Sequence, residues 1–231
     1  MRRALLIDTE TTGLNPADGH VAIEVGCILY DLVVGAPVLS YASLIRASSN
    51  AAQAINRIDP RLLAEAPEPA QVWPFVIRLA SKADIILAHR AEFDRSFCPP
   101  ELQALKWGCT KFDFPWPDQG DRVGPHLVHL ALDLGLGVAH AHRAMSDVDT
   151  MARCLTRCHE RGYDLVAMCQ SSQRPKATYI AQVPYEKKHL AKNAGFQWNE
   201  LVANQWARRM FTDDIAKLPF VVREHAPPEG P

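Results

Sequence analysis

No run of apolar residues in this 231-residue chain approaches the roughly 20 that a helix needs to cross a bilayer, so no membrane partner is expected. Behind Met1, Arg2 and Arg3 the apolar stretch lasts only from Ala4 to Ile7 before Asp8 interrupts it. That is too short for the core of a secretory leader. Six cysteines are present, but no two form a Cys-x-x-Cys pair. Cys154 and Cys158 stand four apart, the spacing of one helix face. These absences predict a cytoplasmic protein with free thiols, not a disulfide scaffold or a zinc module. Internal repeats and low-complexity tracts are missing too. The net charge of −1 excludes a chain dominated by charge of one sign. It hides an asymmetry: residues 1–160 carry 15 Lys and Arg against 19 Asp and Glu, a net −4, and residues 161–231 carry 10 against 7, a net +3. An acidic first part suits a carboxylate-rich cation site, and a basic remainder suits contact with a polyanion.

What is present predicts an α/β fold. Hydrophobic residues make up 48% and charged residues 22%, the composition of one ordinary domain with a small appendage. The 17 prolines fall mostly between periodic segments and predict many short elements. Residues 2–8 read as a buried strand ending in a carboxylate, 11–19 as a turn, and 20–31 and 34–45 as two more strands reversed at Gly35 and Pro37. Three strands with short links predict an antiparallel meander. Asp59 before Pro60 is a helix start, and a longer helix follows over about 70–82. A buried strand at 84–88, a helix beginning at 91–97, a short strand at 107–110 and helices at 125–135 and 143–160 complete an α/β sandwich around a mixed sheet. After Gly162 the periodicity weakens. Residues 163–175 read as a linker, and 176–231 as a small α+β module with strands near 177–183, 196–198 and 205–206 and a basic helix at 185–194.

Asp8 and Glu10 are two apart on a strand, which puts both carboxylates on one face. Two acids that close are costly without a counter-ion. The segment Ile7-Asp8-Thr9-Glu10-Thr11-Thr12-Gly13-Leu14 resembles the first motif of the DnaQ-like (DEDD) exonuclease superfamily. Ala88-His89-Arg90-Ala91-Glu92-Phe93-Asp94 is similar to the second motif, and the spacing of His142 and Asp147 matches the third motif of the histidine branch. Trp107, Cys109 and Thr110 fit a connecting element common in that branch. The resemblance covers about residues 4–158. It departs from the family's pattern at Arg90, where members commonly have Asn.

The resemblance implies a ribonuclease H-like domain over residues 1–162 that acts as a metal-dependent 3′–5′ exonuclease, releasing nucleoside 5′-monophosphates. Asp8, Glu10, Asp94 and Asp147 are the implied ligands of two Mg²⁺ or Mn²⁺ ions, about 3.5–4 Å apart in such sites; carboxylate oxygen suits these hard cations. His142 is the implied general base, since an imidazole can exchange a proton near neutral pH. Five residues of helix turn through about 140°, so His142 is expected before the helix and Asp147 within its first turns. Thr11, Thr12, Gly13 and Leu14 are candidates for holding the terminal nucleotide, with Leu14 as a wedge against its base. His89, Arg90 and Phe93 are further substrate-binding candidates; burial at a strand end remains open for His89. His140, Glu92 and Asp149 read as solvated loop or surface residues.

The partners implied are single-stranded or frayed 3′ ends of DNA, with RNA left open, and a DNA polymerase or repair partner. In the C-terminal module, Lys187, Lys188, Lys192, Arg208 and Arg209 interleave with Tyr185, Phe196, Trp198 and Trp206. That composition serves either a small aromatic core or a single-strand platform. A non-catalytic binding protein on the same fold is the competing class, against which all five catalytic positions are intact.

Overall fold

The structure is a computed structural model and describes residues 1–119, 124–138 and 140–225. The chain divides into two compact units, the first made of Met1–Asp118 and Pro125–Ser172 and the second carried by Gln173 onward.

The first unit is a five-stranded mixed sheet in the order β3-β2-β1-β4-β5. Strands β1 (Arg3–Thr11), β2 (Ala22–Asp31) and β3 (Ala36–Leu44) form the expected antiparallel meander. Two short helices follow, α1 (Gln53–Asn56) and α2 (Pro60–Ala64), and then the longer α3 (Pro69–Ala80). Then come β4 (Ile85–Ala88), α4 (Ala91–Phe97), α5 (Pro100–Gln103) and β5 (Trp107–Cys109), with β4 parallel to both β1 and β5. Helices α6 (Leu127–Asp133), α7 (Ala144–Glu160) and α8 (Leu165–Ser171) close the unit.

Side chains of β1 alternate between two cores. Ala4 and Leu6 join Ile28, Tyr30 and the inner faces of α6, α7 and α8. Leu5 and Ile7 join Val25, Cys27 and the inner faces of α3 and α4. The sheet is thus covered on both faces, which is why its central strands read as continuous apolar runs. All six cysteines are buried and free, Cys154 and Cys158 on the inner face of α7.

Three expectations are corrected. The first strand does not stop at Asp8 but runs to Thr11, so both acids lie within it. The reversal before β3 is centred ahead of Pro37: Asp31 Oδ1 accepts from the amides of Val33 and Val34 at 3.0 and 3.1 Å, Gly35 closes the turn at φ 73°, and Pro37 sits inside the edge strand β3 opposite Tyr30. The stretch 163–175 is not a plain linker. Asp164 caps α8 by accepting from Ala167 N at 3.0 Å, and Leu165, Met168 and Cys169 are buried in the first unit. Seven residues are too few for a clear helical period, which hid the element.

The second unit is a four-stranded sheet in the order β7-β8-β6-β9, from β6 (Lys176–Ala181), β7 (Gln197–Trp198), β8 (Trp206–Phe211) and β9 (Val222–Glu224), joined by the short helix α9 (Lys188–Asn193). Its core is small: Tyr179, Ala191, Phe196 and Met210 are buried, with Trp206, Phe220 and Val222 packed around them. No periodic pattern in the sequence announces β9, and the last six residues of the expected module, 226–231, lie outside the described residues. Among the described residues no helix is long and apolar enough to cross a membrane.

Candidate active site

The site begins where the sheet loses a strand. β4 pairs with β1 only from Ala4 to Leu6, so the next amide on that side, Thr9 N, has no strand to bond. The Asp94 carboxylate from α4 takes its place. Asp94 Oδ1 accepts from Thr9 N and from Thr9 Oγ1, both at 2.9 Å, and the group is buried. Asp8 and Glu10, in the alternate positions of β1, are joined by Asp147 from the first turn of α7. Carboxylate oxygens of these three lie within 4.8 Å of one another. Asp94 is held just outside that group by Thr9.

The third-motif segment is placed by residues that lie outside the three motifs. Glu24, buried on β2 opposite Glu10, accepts from Arg143 Nη2 at 2.6 Å and from Ala144 N at 3.0 Å. It therefore holds both the residue before α7 and an otherwise orphaned amide of its first turn. Gly26 lets the two elements meet, because a Cβ there would come within 2.5 Å of the Ala144–Met145 backbone. His142 precedes the helix as expected. Its backbone has φ 63°, an uncommon conformation for a non-glycine residue that costs free energy and is held by the surrounding contacts. His142 N donates to Asp147 Oδ2 at 3.2 Å, while its side chain is exposed at the cleft. The signal for Glu24 was an acid interrupting the apolar run from Ile23 to Tyr30.

Burial and mutual repulsion push these acids toward protonation. Asp8 is raised well above the ordinary carboxylate range by burial, with Asp94, Asp147 and Glu10 adding to it. Glu10 is pushed up to about 8 by burial and then by Asp147 and Glu24. Burial also raises Asp147, against the His142 amide that favours its charged form. Burial raises Asp94, although its bonds from Thr9 work against that. A set of hard oxygen donors, crowded and short of cationic partners, fits a divalent cation; neither sulfur nor imidazole belongs to the three-oxygen group.

The carboxylates lie in a cleft of about 780 Å³ that also takes in Thr11, Thr12, Gly13, Leu14, His89, Arg90, Phe93 and His142. Leu14 is 80% exposed, free to press on a ligand. The hydroxyls of Thr11 and Thr12 are spent on the turn itself: Thr11 Oγ1 donates to Gly13 O at 2.6 Å, and Thr12 Oγ1 accepts from Val21 N at 3.0 Å. His89 does not present itself as a phosphate contact. Nδ1 meets Thr110 Oγ1 at 3.1 Å and Nε2 meets the Pro125 carbonyl at 2.9 Å, and burial brings its pKa down to about 4. A neutral ring with both nitrogens engaged supports β4 and β5. Asn56, also unforeseen, is buried and donates to Thr11 O at 3.2 Å, fixing the end of β1. Ile55 beside it is 58% exposed and lines the cleft. His140, Glu92 and Asp149 are exposed, as expected.

Comparisons with known proteins bear on this site. Residues 177–224 match a family model described as a domain of unknown function (DUF8626). The chain is 30% identical over 157 residues to the DNA polymerase III subunit epsilon of Treponema pallidum, covering 61% of this chain and 68% of that protein. It is 31% identical over 112 residues to the protein of the same name from Rickettsia typhi, covering 48% of each. A solved structure of exonuclease X in complex with 5′ overhanging duplex DNA shares 26% identity and covers 73% of this chain and 99% of that one, with a TM-score of 0.57.

Proposed function

The chain belongs to the DnaQ-like exonuclease family, and from that premise we propose that it hydrolyses DNA from 3′ ends to nucleoside 5′-monophosphates, in a repair or proofreading role. The observation that carries the reading is the meeting of the Asp8, Glu10 and Asp147 oxygens within 4.8 Å, in a cleft that His142 also lines.

Asp8, Glu10 and Asp147 would hold one Mg²⁺ or Mn²⁺. Asp94, whose Oδ1 is taken by Thr9, would help to hold a second. When bound, such ions make water a better nucleophile and offset charge on the leaving oxygen. His142 takes the proton of the attacking water as its oxygen adds to phosphorus. The bond to the 3′ oxygen of the preceding nucleotide breaks with both electrons going to that oxygen, which takes a proton from water to become the new 3′ hydroxyl. Glu24 and Arg143 hold the His142–Asp147 segment against β2. Leu14 and Phe93 border the space for the terminal base and sugar, and Arg90 supplies a cation at the cleft for phosphate. A polymerase or repair partner fits the names of the relatives and belongs to this proposal.

The test uses 5′-labelled single-stranded DNA and RNA of one sequence with Mg²⁺ or Mn²⁺. A cation-dependent ladder shortening from the 3′ end of DNA is expected. Faster shortening of RNA would reassign the substrate, and no cleavage of either strand by folded protein would sink the reading.

A further inference from the structure

The second unit carries a surface that the carboxylate chemistry leaves unused. Trp198 on β7 and Trp206 on β8 stand opposite each other in register, so both indoles leave the same face of that edge. Their ring centroids are 5.8 Å apart. Trp206 packs against the small core, whereas Trp198 keeps 53% of its surface exposed. An indole left so open adds little to folding. The pair walls a cleft of about 460 Å³ whose lining includes Gln182, Pro184, Asn204 and Gln205. Three side-chain amides offer donors and acceptors together. Directly after Pro184, Tyr185 is 76% exposed and Lys188 Nζ lies 3.9 Å from its ring centroid. Lys187 and Lys192 are exposed on the same turn and helix. On β9, exposed Arg223 donates to Gln205 Oε1 at 3.2 Å, at the lining of the cleft. Residues 173–231 carry nine Lys and Arg against six Asp and Glu, a net +3.

We propose that this face binds single-stranded nucleic acid, with a base stacked on Trp198, the amides of Gln182, Asn204 and Gln205 meeting base edges, and Tyr185 with its neighbouring lysines following the backbone. A flat ring with hydrogen-bonding edges, tied to a polyanion, matches an exposed indole, paired amide groups and a cationic rim together. A peptide partner would use the aromatic pair but give the excess positive charge no counterpart. The surface lies wholly within the second unit, and the inference does not depend on the carboxylate cleft being catalytic.

The experiment is fluorescence anisotropy of labelled dT20 with the full chain in EDTA, where hydrolysis is suppressed. Binding is then read apart from the exonuclease reading, which stands or falls on cleavage. Trp198→Ala should weaken binding about 10-fold, the loss of one stacked base, and Trp198→Phe should keep most of the affinity. Tyr185→Ala should weaken it by a smaller factor. Both side chains are exposed, so folding is expected to persist and is checked by circular dichroism. Equal dissociation constants for wild type and Trp198→Ala would overturn the proposal. So would a loss in Trp198→Phe as large as in Trp198→Ala.

Discussion

Glu24 and Arg143, 119 residues apart in sequence, form a two-pronged ion pair, with Arg143 Nη2 at 2.6 Å from Oε1 and Nε at 3.0 Å from Oε2. Glu24 is buried, Arg143 is half-exposed, and the same carboxylate holds the Ala144 amide. Glu24→Ala would release Arg143 to water and strand the buried amide. A stability loss of about 1–3 kcal/mol is expected for the unmet donor. The His142–Asp147 segment would also loosen, so kcat should fall at least tenfold while KM changes little. Urea unfolding with steady-state kinetics on a short DNA strand checks both; an unchanged kcat would show that the segment holds its place unaided.

The raised acids make a prediction about the protein stripped of cations. A carboxyl whose folded pKa lies above its unfolded value holds its proton more tightly when folded, so it favours the fold at low pH and disfavours it as pH rises. With Glu10 at about 8 against an ordinary 4.5, and Asp8 and Asp94 raised too, the melting temperature in EDTA should drop between about pH 5 and pH 8. The total effect is on the order of a few kcal/mol. Adding Mg²⁺ or Mn²⁺ at pH 8 should restore it by binding the folded state. Asp8→Asn should melt higher than wild type in EDTA at pH 8 and respond less to the cation. A flat EDTA profile would contradict the charge crowding.

His142 combines a proposed chemical role with a backbone cost. His142→Ala should lower kcat by about 10²- to 10⁴-fold, the range for a positioned general base, and leave the affinity for DNA within a few-fold. His142→Gly should be equally inactive but more stable than the alanine variant by about 1 kcal/mol, because glycine accepts φ 63° without the Cβ penalty. Thermal melts of the two variants side by side decide the backbone part, and single-turnover rates decide the chemical part.

Arg90 starts α4 at the rim of the cleft, and its charge favours ionised Asp94. As a phosphate contact it should matter to binding more than to turnover. Arg90→Asn is expected to raise KM for a DNA strand several-fold and to lower the slope of log affinity against log salt by about 1. A lost kcat with an unchanged salt slope would move its role to Asp94.

What the sequence made legible was local or periodic. Asp8 and Glu10 could be placed on one face because strand geometry repeats every two residues. α7 could be read from the spacing of Val148, Met151, Leu155 and Cys158, and its start fell where the His142–Asp147 spacing demanded. Hidden from the sequence were contacts whose partners are far apart in the chain. Nothing near Asp94 announces that Thr9 will bind its Oδ1, and nothing near His89 announces the Pro125 carbonyl. Glu24 was visible only as an acid in an apolar strand, a pattern without meaning until Arg143 arrives. α8 and α1 were missed because one or two helical turns leave too little periodicity, and their positions are set by packing and by Asn56 instead.

The enclosure of all six thiols has a use beyond packing. Burial pushes Cys27, Cys154 and Cys169 up to about 12, so in the closed molecule they are neither reachable nor ionised. Alkylation at neutral pH must wait for the chain to open. The six cysteines are spread over β2, β5, α7, α8 and the C-terminal end of α4, so together they report five parts of the first unit, with two of them on α7. The chain thereby carries its own unfolding gauge, six reporters wide, which can be calibrated against cation concentration without adding a label.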